Sequence, residues 1–197
     1  YQGGIQNYAI TQNKTGVIFI ANNYGLLEHD GTTWRRYALP NGAKTRHVQI
    51  DQNGLVYVAG QGDFGLFIPD ELGQLTFVSF KNDLPEEDRD LGEVWKVFIG
   101  NNEIYFCTSG KLFIFNKSRE YIGKIESQSG FESFHYSNNL LFVNSKLIGR
   151  YEPKEMWKQA SIVDVYNIEK NTYLSSIYIY NINKTKLQEM FVITNRI

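Results

Sequence analysis

The sequence has little of what several classes of protein require. Cysteine occurs once, at Cys107, so an internal disulfide is excluded, and its apolar strand pattern indicates a buried, inert thiol. No segment approaches the ~20 apolar residues of a membrane-spanning helix. The 20 basic and 21 acidic residues nearly cancel. Such a balance provides no field for binding nucleic acid or an anionic membrane. We therefore expect no direct nucleic-acid partner and no membrane contact within this chain.

Signatures of catalysis and of metal binding are also missing. The sequence contains neither a G-x-S-x-G nucleophile motif nor histidines at H-x-x-x-H spacing. The histidines are far apart along the chain: His29, His47 and His135. Scattered carboxylates do not identify an acid/base pair without geometry. We expect no catalytic residue, no metal site and no cofactor.

One glycine motif needs an explanation other than nucleotide binding. Gly60–Gly65 spells G-x-G-x-x-G, which in a dinucleotide-binding protein follows a strand and opens a helix. Here a β-rich run follows, Gly65–Ile68. The glycines are therefore interpreted as the loop between two strands, where they allow positive φ angles.

What the sequence does contain is a repeat. A turn, a β-rich run, a second turn and another β-rich run recur along the chain in four places: Gly16–Leu27, Asn53–Ile68, Asn101–Phe115 and, more weakly, Asn138–Asn144. Tyrosine and phenylalanine, 13 of each, favour strands, and helical periodicity is scarce. Repeats of about 40–45 residues with about four short strands each are typical of propeller blades. The sequence predicts an all-β fold, a β-propeller.

The copies divide the chain, taken as a single propeller region spanning 1–197, into approximate blades. These are 5–42, 45–88, 91–130, 131–161 and 162–197. The fifth copy is degenerate, because Tyr173–Tyr180 lacks the glycine-containing turn found in the others. Four recognisable four-stranded blades and a degenerate fifth predict a partial propeller with open terminal blades. The polar insertion Asn82–Asp90 is interpreted as a solvated loop.

In a four-stranded blade, the turns between second and third strands share one face with the links between blades. The predicted inner strands are Gln6–Ile10, His47–Ile50 and Trp95–Ile99. Propeller ligands bind on such loops. Trp95 could lie either in the core or at the mouth of the central funnel of the propeller, and the sequence leaves both positions open. Trp34, in contrast, is expected to pack within its blade. The predicted ligand-binding residues are Asn22, Asn23, Tyr24, Arg46, Gln61, Asp63, Phe64, Glu93 and Trp95.

Several segments carry a family resemblance. Gly25–Trp34 resembles the G-L-x-x-x-D-G-x-x-W repeat of the two-component regulator propeller family. Tyr1–Tyr8, Gly60–Gly65 and Leu84–Asp90 resemble the N-terminal part of its triple-tyrosine subgroup, and the likeness extends to about residue 116. The resemblance implies the extracytoplasmic, periplasmic sensor of a bacterial regulator of the Bacteroidetes type. Such sensors precede a histidine kinase or a helix-turn-helix output, and the family has no universal catalytic residue.

The sequence therefore predicts a non-catalytic sensor propeller that binds a carbohydrate or another small extracellular ligand. Two alternatives stay open. A protein-interaction propeller would use the same face to dock another chain, or would self-associate through its terminal blades. A carbohydrate-active hydrolase or lyase would need convergent acid/base residues in the funnel.

Overall fold

The chain is almost entirely β-structure. The computed structural model describes residues 3–40, 42–126, 131–145, 160–170 and 172–180. Their sixteen strands form four four-stranded antiparallel sheets, each with its strands in sequential order. The helical content of these ranges is two 3-10 turns, Lys81–Asp83 and Glu86–Asp88. The all-β fold class predicted from the repeats is confirmed.

The strands have the following bounds. The first sheet contains β1 (Asn7–Gln12), β2 (Ile18–Asn22), β3 (Gly25–His29) and β4 (Trp34–Tyr37). The second contains β5 (Thr45–Ile50), β6 (Val56–Gly60), β7 (Phe64–Pro69) and β8 (Leu75–Ser79). The third contains β9 (Lys96–Ile99), β10 (Glu103–Cys107), β11 (Lys111–Asn116) and β12 (Tyr121–Glu126). The fourth contains β13 (Phe131–Ser137), β14 (Leu140–Ser145), β15 (Ala160–Asn167) and β16 (Thr172–Tyr180).

A recurring turn motif closes the hairpins. Asn13, Asp51 and Asp70 each accept, through the side-chain Oδ1, the backbone N–H groups two and four residues further on. Three residues after each of them stands a glycine with positive φ, which costs glycine little. Asn116 repeats the bond to the fourth residue, with Arg119 at φ 70° in the glycine position. The turn positions of the repeat thus have a local chemical cause.

The chain divides into two compact units, 1–108 with 112–124, and 109–111 with 125–197. In the first unit, one apolar cluster joins the second and third sheets and is centred on buried phenylalanines. Phe64 is fully buried there, with its ring centroid 4.4 Å from that of Phe106. A second cluster joins the first and second sheets and includes Phe19, Val58 and Phe67. In the second unit, Phe142, Val163 and Val165 pack together.

Two buried residues anchor the insertion between the second and third sheets. Most of its side chains are exposed, as expected of a solvated loop, but Leu84 and Asp88 are buried. Leu84 joins the core cluster of the second and third sheets. Lys124 Nζ lies 2.8 and 3.0 Å from the Asp88 carboxylate oxygens. The interpretation as a solvated loop therefore missed an ion pair that attaches the segment to β12.

The sheets also revise one predicted blade boundary. The first three sheets lie within the predicted blades 5–42, 45–88 and 91–130. The boundary at 161/162 falls inside β15, and β13–β16 form one sheet. The missing glycine turn in Thr172–Tyr180 has a simple cause, since this segment is one nine-residue strand rather than a hairpin. Residues 181–197 of the predicted fifth copy lie outside the described residues.

Gly65 provides a test of how tightly the strands of the second sheet approach one another. A Cβ at Gly65 would lie 2.0 Å from the backbone oxygen of Val78 on β8. Because a backbone atom cannot rotate away, we expect Gly65→Ala to lower the free energy of unfolding by about 1–3 kcal/mol. Gly123→Ala is the control, since a Cβ there meets nothing within 4 Å. Urea denaturation compares the two, and equal stabilities would contradict the predicted close approach.

Candidate functional site

The inner strands of the first unit begin at one edge of their sheets. β1, β5 and β9 are neighbours in space. Because consecutive strands are antiparallel, their starts share this edge with the β2–β3 and β6–β7 turns and with the links between sheets. We call this the turn edge. The predicted inner strands and their common face are thus present in the structure.

Two β-bulges reorient side chains at the turn edge. In the first sheet the register passes from Asn7↔Asn22 to Ala9↔Ala21, which leaves Tyr8 as the extra residue. In the second it passes from Thr45↔Gly60 to His47↔Ala59, which leaves Arg46 extra. A bulge bends its strand and changes the direction of the extra side chain. Equivalent bulges therefore present a tyrosine and an arginine on adjacent inner strands.

Arg46 is the centre of the side chains that meet there. Its Nε and Nη2 donate to the two Glu93 carboxylate oxygens at 2.8 and 3.0 Å. Its Cζ lies 4.5 Å from the ring centroid of Tyr8 and 4.9 Å from that of Trp95. A guanidinium over an aromatic face is attracted by the ring quadrupole. We call these four residues the Arg46 cluster; it combines a bidentate ion pair with two cation–π contacts.

Backbone pairing brings Glu93 to Arg46. Gly62 N–H donates to Gly92 O at 2.6 Å, and Val94 N–H donates to Gly60 O at 3.0 Å. These bonds attach the residues before β9 to the β6–β7 turn, and Gln61 and Glu93 form an isolated antiparallel bridge. The glycine-rich loop therefore positions a carboxylate by its backbone. Its interpretation as an inter-strand loop is confirmed, because β7 follows it.

The electrostatics of the pair follow from this contact. The hydrogen bond from Arg46 holds the pKa of Glu93 below its ordinary value, although partial burial opposes that shift. The same bond raises the pKa of Arg46. The Arg46 side chain is 13% exposed and that of Glu93 is 23% exposed. The cluster is therefore charged at neutral pH and lies within reach of solvent.

Further along β5 from Arg46, side chains of this strand accept hydrogen bonds from the backbone of the adjacent inner strand β9. Val97 N–H on β9 donates to His47 Nδ1 on β5 at 3.5 Å, and Ile99 N–H donates to Gln49 Oε1 at 3.1 Å. Burial, followed by the charge of Lys96, lowers the pKa of His47 to about 4. His47 is thus a neutral acceptor near pH 7 that links β5 to β9.

Three predicted ligand-binding residues have structural contacts instead. Asn22 is fully buried and bonds the backbone of Gly4 in both directions. Asp63 is 9% exposed, accepts from Phe64 N–H and Ser79 Oγ, and has a pKa raised by burial. Phe64 is a core residue. The sequence placed these residues at the turn edge, but it could not tell that their side chains point inward.

The remaining predicted residues surround or form the cluster. Arg46, Glu93 and Trp95 meet directly, and Trp95 is 42% exposed. Gln61 is exposed beside Glu93, and Tyr24 is 54% exposed on the β2–β3 turn. Asn23 accepts a hydrogen bond from the Tyr8 hydroxyl at 2.6 Å. These residues lie on the predicted side of the sheets. Their role in binding a ligand stays a prediction.

Tyr8 is the member of the Arg46 cluster that was not among the predicted ligand-binding residues. Asn7–Gln12 carries no sign of a bulge in its sequence, and the bulge that reorients Tyr8 depends on pairing with β2. The equivalence of Tyr8 and Arg46 appears only in the structure, because the inner strands predicted from the sequence begin at Gln6 and His47. Tyr8 and Arg46 each immediately follow the first residue of an inner strand, Asn7 of β1 and Thr45 of β5.

The same ranges bear on metal binding, membrane spanning and thiol chemistry. In the described parts of the chain, no group of three or more His, Cys, Asp or Glu side chains could hold a metal ion. None of the helices within those ranges has the length and apolar character needed to cross a bilayer. Cys107 is a buried free thiol, as predicted, and burial raises its pKa.

Comparison with known proteins finds similarity in structure only. No protein-family model matches the sequence, and no curated protein matches it. The Dos1 propeller is similar over 89% of this chain and 48% of its own, with a TM-score of 0.65 and 11% identity. Virginiamycin B lyase from Staphylococcus aureus is similar over 90% of this chain and 56% of its own, with a TM-score of 0.60 and 16% identity.

A third neighbour is the extracellular domain of a proposed hybrid two-component system, BT3049, from B. thetaiotaomicron. It has a TM-score of 0.61 and 13% identity, and the match covers 91% of this chain and 24% of that one. At such identities the likeness establishes the β-propeller fold. This chain spans about half of the Dos1 propeller and of the lyase.

Proposed function

We propose that this chain is a sensor region of an extracytoplasmic, periplasmic propeller in a bacterial signal-transduction regulator. Its ligand binds at the turn edge, against the exposed side of Trp95, and the chain performs no catalysis of its own. The observation that carries the proposal is the Arg46 cluster. It places a half-exposed indole, a charged pair and polar neighbours together on the face where propeller loops bind ligands.

Geometry explains why Trp95 suits a ligand. Arg46 lies over its ring, with Cζ 4.9 Å from the centroid, and the backbone N–H of Trp95 donates to the backbone O of Cys107 at 2.7 Å. The residue is therefore held in place before any ligand arrives, which lowers the entropy cost of binding. An indole face stacks well on the apolar face of a sugar ring. A carbohydrate is the ligand class that we favour among small extracellular molecules.

Two further facts support a sensor. Extracellular domains of Bacteroides two-component systems are among the structural neighbours. The sequence also resembles the two-component regulator propeller family and its triple-tyrosine subgroup in Gly25–Trp34 and Gly60–Gly65. A lyase among the neighbours supports the enzyme alternative at the level of fold. Turnover of a bound glycan would favour that alternative over sensing.

Trp95→Ala tests the sensor site. We expect the wild-type protein to bind members of a glycan microarray and the variant to bind them at least tenfold more weakly, because the stacking face is lost. Titration calorimetry on the strongest glycan gives the two affinities.

Trp34→Ala is the matched control. Trp34 is 39% exposed, against 42% for Trp95, but it lies on the outer strand β4 beside His29. The control should keep wild-type affinity. Equal losses in the two variants, or no loss in either, would contradict the proposed site.

Self-association is a second candidate, supported by β16. This strand is nine residues long and carries no charged side chain. Tyr173, Leu174 and Tyr180 are each more than half exposed. Apolar strands without charges readily pair with another chain. We propose that the terminal sheet associates with a second copy.

Ile177→Lys tests this association, because Ile177 is 46% exposed on β16 and a charge there opposes strand pairing. Sedimentation over a dilution series should show a concentration-dependent dimer in the wild type and a monomer in the variant. Ile122→Lys, at a 56% exposed site on β12, is the control. A wild-type protein that stays monomeric at all concentrations would rule this candidate out.

A further inference from the structure

Two cationic side chains act on the carboxylate of Glu93. Arg46 contacts both of its oxygens. Lys44 stands two residues before Arg46, and its charge adds to that of Arg46 in lowering the pKa of Glu93. Lys44 O also accepts from Gln61 N–H at 3.0 Å, so the lysine backbone is attached to the same loop. Glu93 is therefore held by hydrogen bonds from Arg46 on β5 and is further attracted by the charge of Lys44, which precedes that strand.

One further lysine, Lys81, contacts the loop itself, and another, Lys96, lies beside His47. Lys81 Nζ donates to Gly62 O at 3.2 Å, and Gly62 N–H donates to Gly92 O, next to Glu93. Lys96 follows Trp95 and contributes, after burial, to lowering the pKa of His47. The positive charges that act on Glu93 itself are those of Arg46 and Lys44, and positive charge at a partly enclosed site attracts anions. The Glu93 carboxylate accepts from both Nε and Nη2 of Arg46, the two donors that form the fork of its guanidinium.

We infer that the ligand of the Arg46 cluster is an acidic carbohydrate, whose carboxylate or sulfate replaces Glu93 on the guanidinium of Arg46. This inference rests on the proposed sensor function and names the ligand class of the same site. The planar fork of arginine matches carboxylate and sulfate oxygens in a bidentate manner. In the free protein, the Glu93 carboxylate occupies the position on Arg46 that the acidic group of the ligand would take.

Replacing Glu93 by the acidic group of the ligand keeps the charge of Arg46 paired. One anion replaces another on Arg46, so the guanidinium never remains without a partner. Glu93, with 23% of its side chain exposed, can turn toward water and toward Lys44. The Tyr8 and Trp95 rings keep Arg46 in position during the exchange. The ring of the sugar then stacks on Trp95 while its acidic group binds Arg46.

A neutral sugar would behave differently. It would use the face of Trp95 and leave the Arg46–Glu93 pair intact. Its affinity would then depend on Trp95 and be insensitive to the charge of Glu93. The two ligand classes are therefore separable by variants of the ion pair.

The experiment uses a microarray of matched oligosaccharides, each printed in neutral, uronic-acid and sulfated forms, followed by calorimetry on the strongest hit. We expect binding to be confined to acidic forms and to weaken with salt. Arg46→Lys, which keeps the charge but loses the fork, should weaken binding at least tenfold. Glu93→Gln should strengthen it several-fold, because it removes the competing anion. Thermal unfolding of each variant verifies that the fold is retained.

The outcomes distinguish this inference from the sensor function itself. Trp95-dependent binding of neutral and acidic forms alike overturns the inference and leaves the sensor site standing. Weaker binding in Glu93→Gln also overturns it, since Glu93 would then be a ligand contact rather than a competitor. A failure of every glycan to bind in a Trp95-dependent manner overturns both.

Discussion

Lys124→Met should lower the free energy of unfolding by about 3 kcal/mol, because it leaves a buried carboxylate without its ion-pair partner. The Asp88 side chain is fully buried, and Lys124 Nζ lies 2.8 and 3.0 Å from its two oxygens. Lys124 itself is 29% exposed, which places the expected loss at the lower end for buried pairs. Chemical denaturation monitored by circular dichroism measures the change.

Two variants make this prediction specific. Lys111→Met removes the partner of Glu126 in a pair that is 3.8 Å long and 37% and 52% exposed, so it should cost less than about 1 kcal/mol. Replacing both members of the buried pair, Asp88→Leu with Lys124→Met, should recover most of the stability, because neither charge remains buried. If Lys124→Met were as stable as Lys111→Met, the buried Asp88 carboxylate would not need Lys124 for its stability.

The protonation of His47 alone should lower the free energy of unfolding by about 3 kcal/mol as the pH is lowered from about 6.5 to about 4. Burial, and then Lys96, lower the pKa of His47 from 6.5 to about 4. The unfolded chain binds the proton through this range and the folded chain does not, so acid favours unfolding. The size follows from about 1.4 kcal/mol for each pKa unit between the two states.

His47→Gln isolates this contribution from that of the carboxylates. Glutamine cannot titrate, yet it offers an oxygen that can accept from Val97 N–H as His47 Nδ1 does. Stability against pH should therefore be flatter in the variant than in the wild type between pH 6.5 and 4, by about 3 kcal/mol. Parallel curves for the two proteins would show that His47 titrates normally in the folded state.

Much of the fold follows from local chemistry and could be predicted. The hairpin turns at Asn13, Asp51 and Asp70 are set by side-chain bonds to amides two and four residues away. Such contacts are encoded within five residues, so the repeat was visible in the sequence. The make-up of the fourth sheet was not visible in the sequence, because Thr172–Tyr180 pairs with β15 along its length and contains no turn of its own.

The site divides in the same way. The spacing of the turns placed Arg46, Gln61 and Trp95 on one edge. The contact between Arg46 and Glu93 links residues 47 positions apart, and it forms because the Gly60–Gly62 loop pairs with the residues before β9. No local pattern encodes such a contact.

The sequence by itself determined the strand-rich blades, their turns and the face on which the loops gather, because each depends on neighbours a few residues apart. Only the tertiary structure decided which side chains on that face are available. Asn22 and Phe64 turn inward, whereas the bulges turn Tyr8 and Arg46 toward each other. Bulges and burial depend on the pairing and packing of whole strands, and that information is spread over the chain rather than held in any one motif.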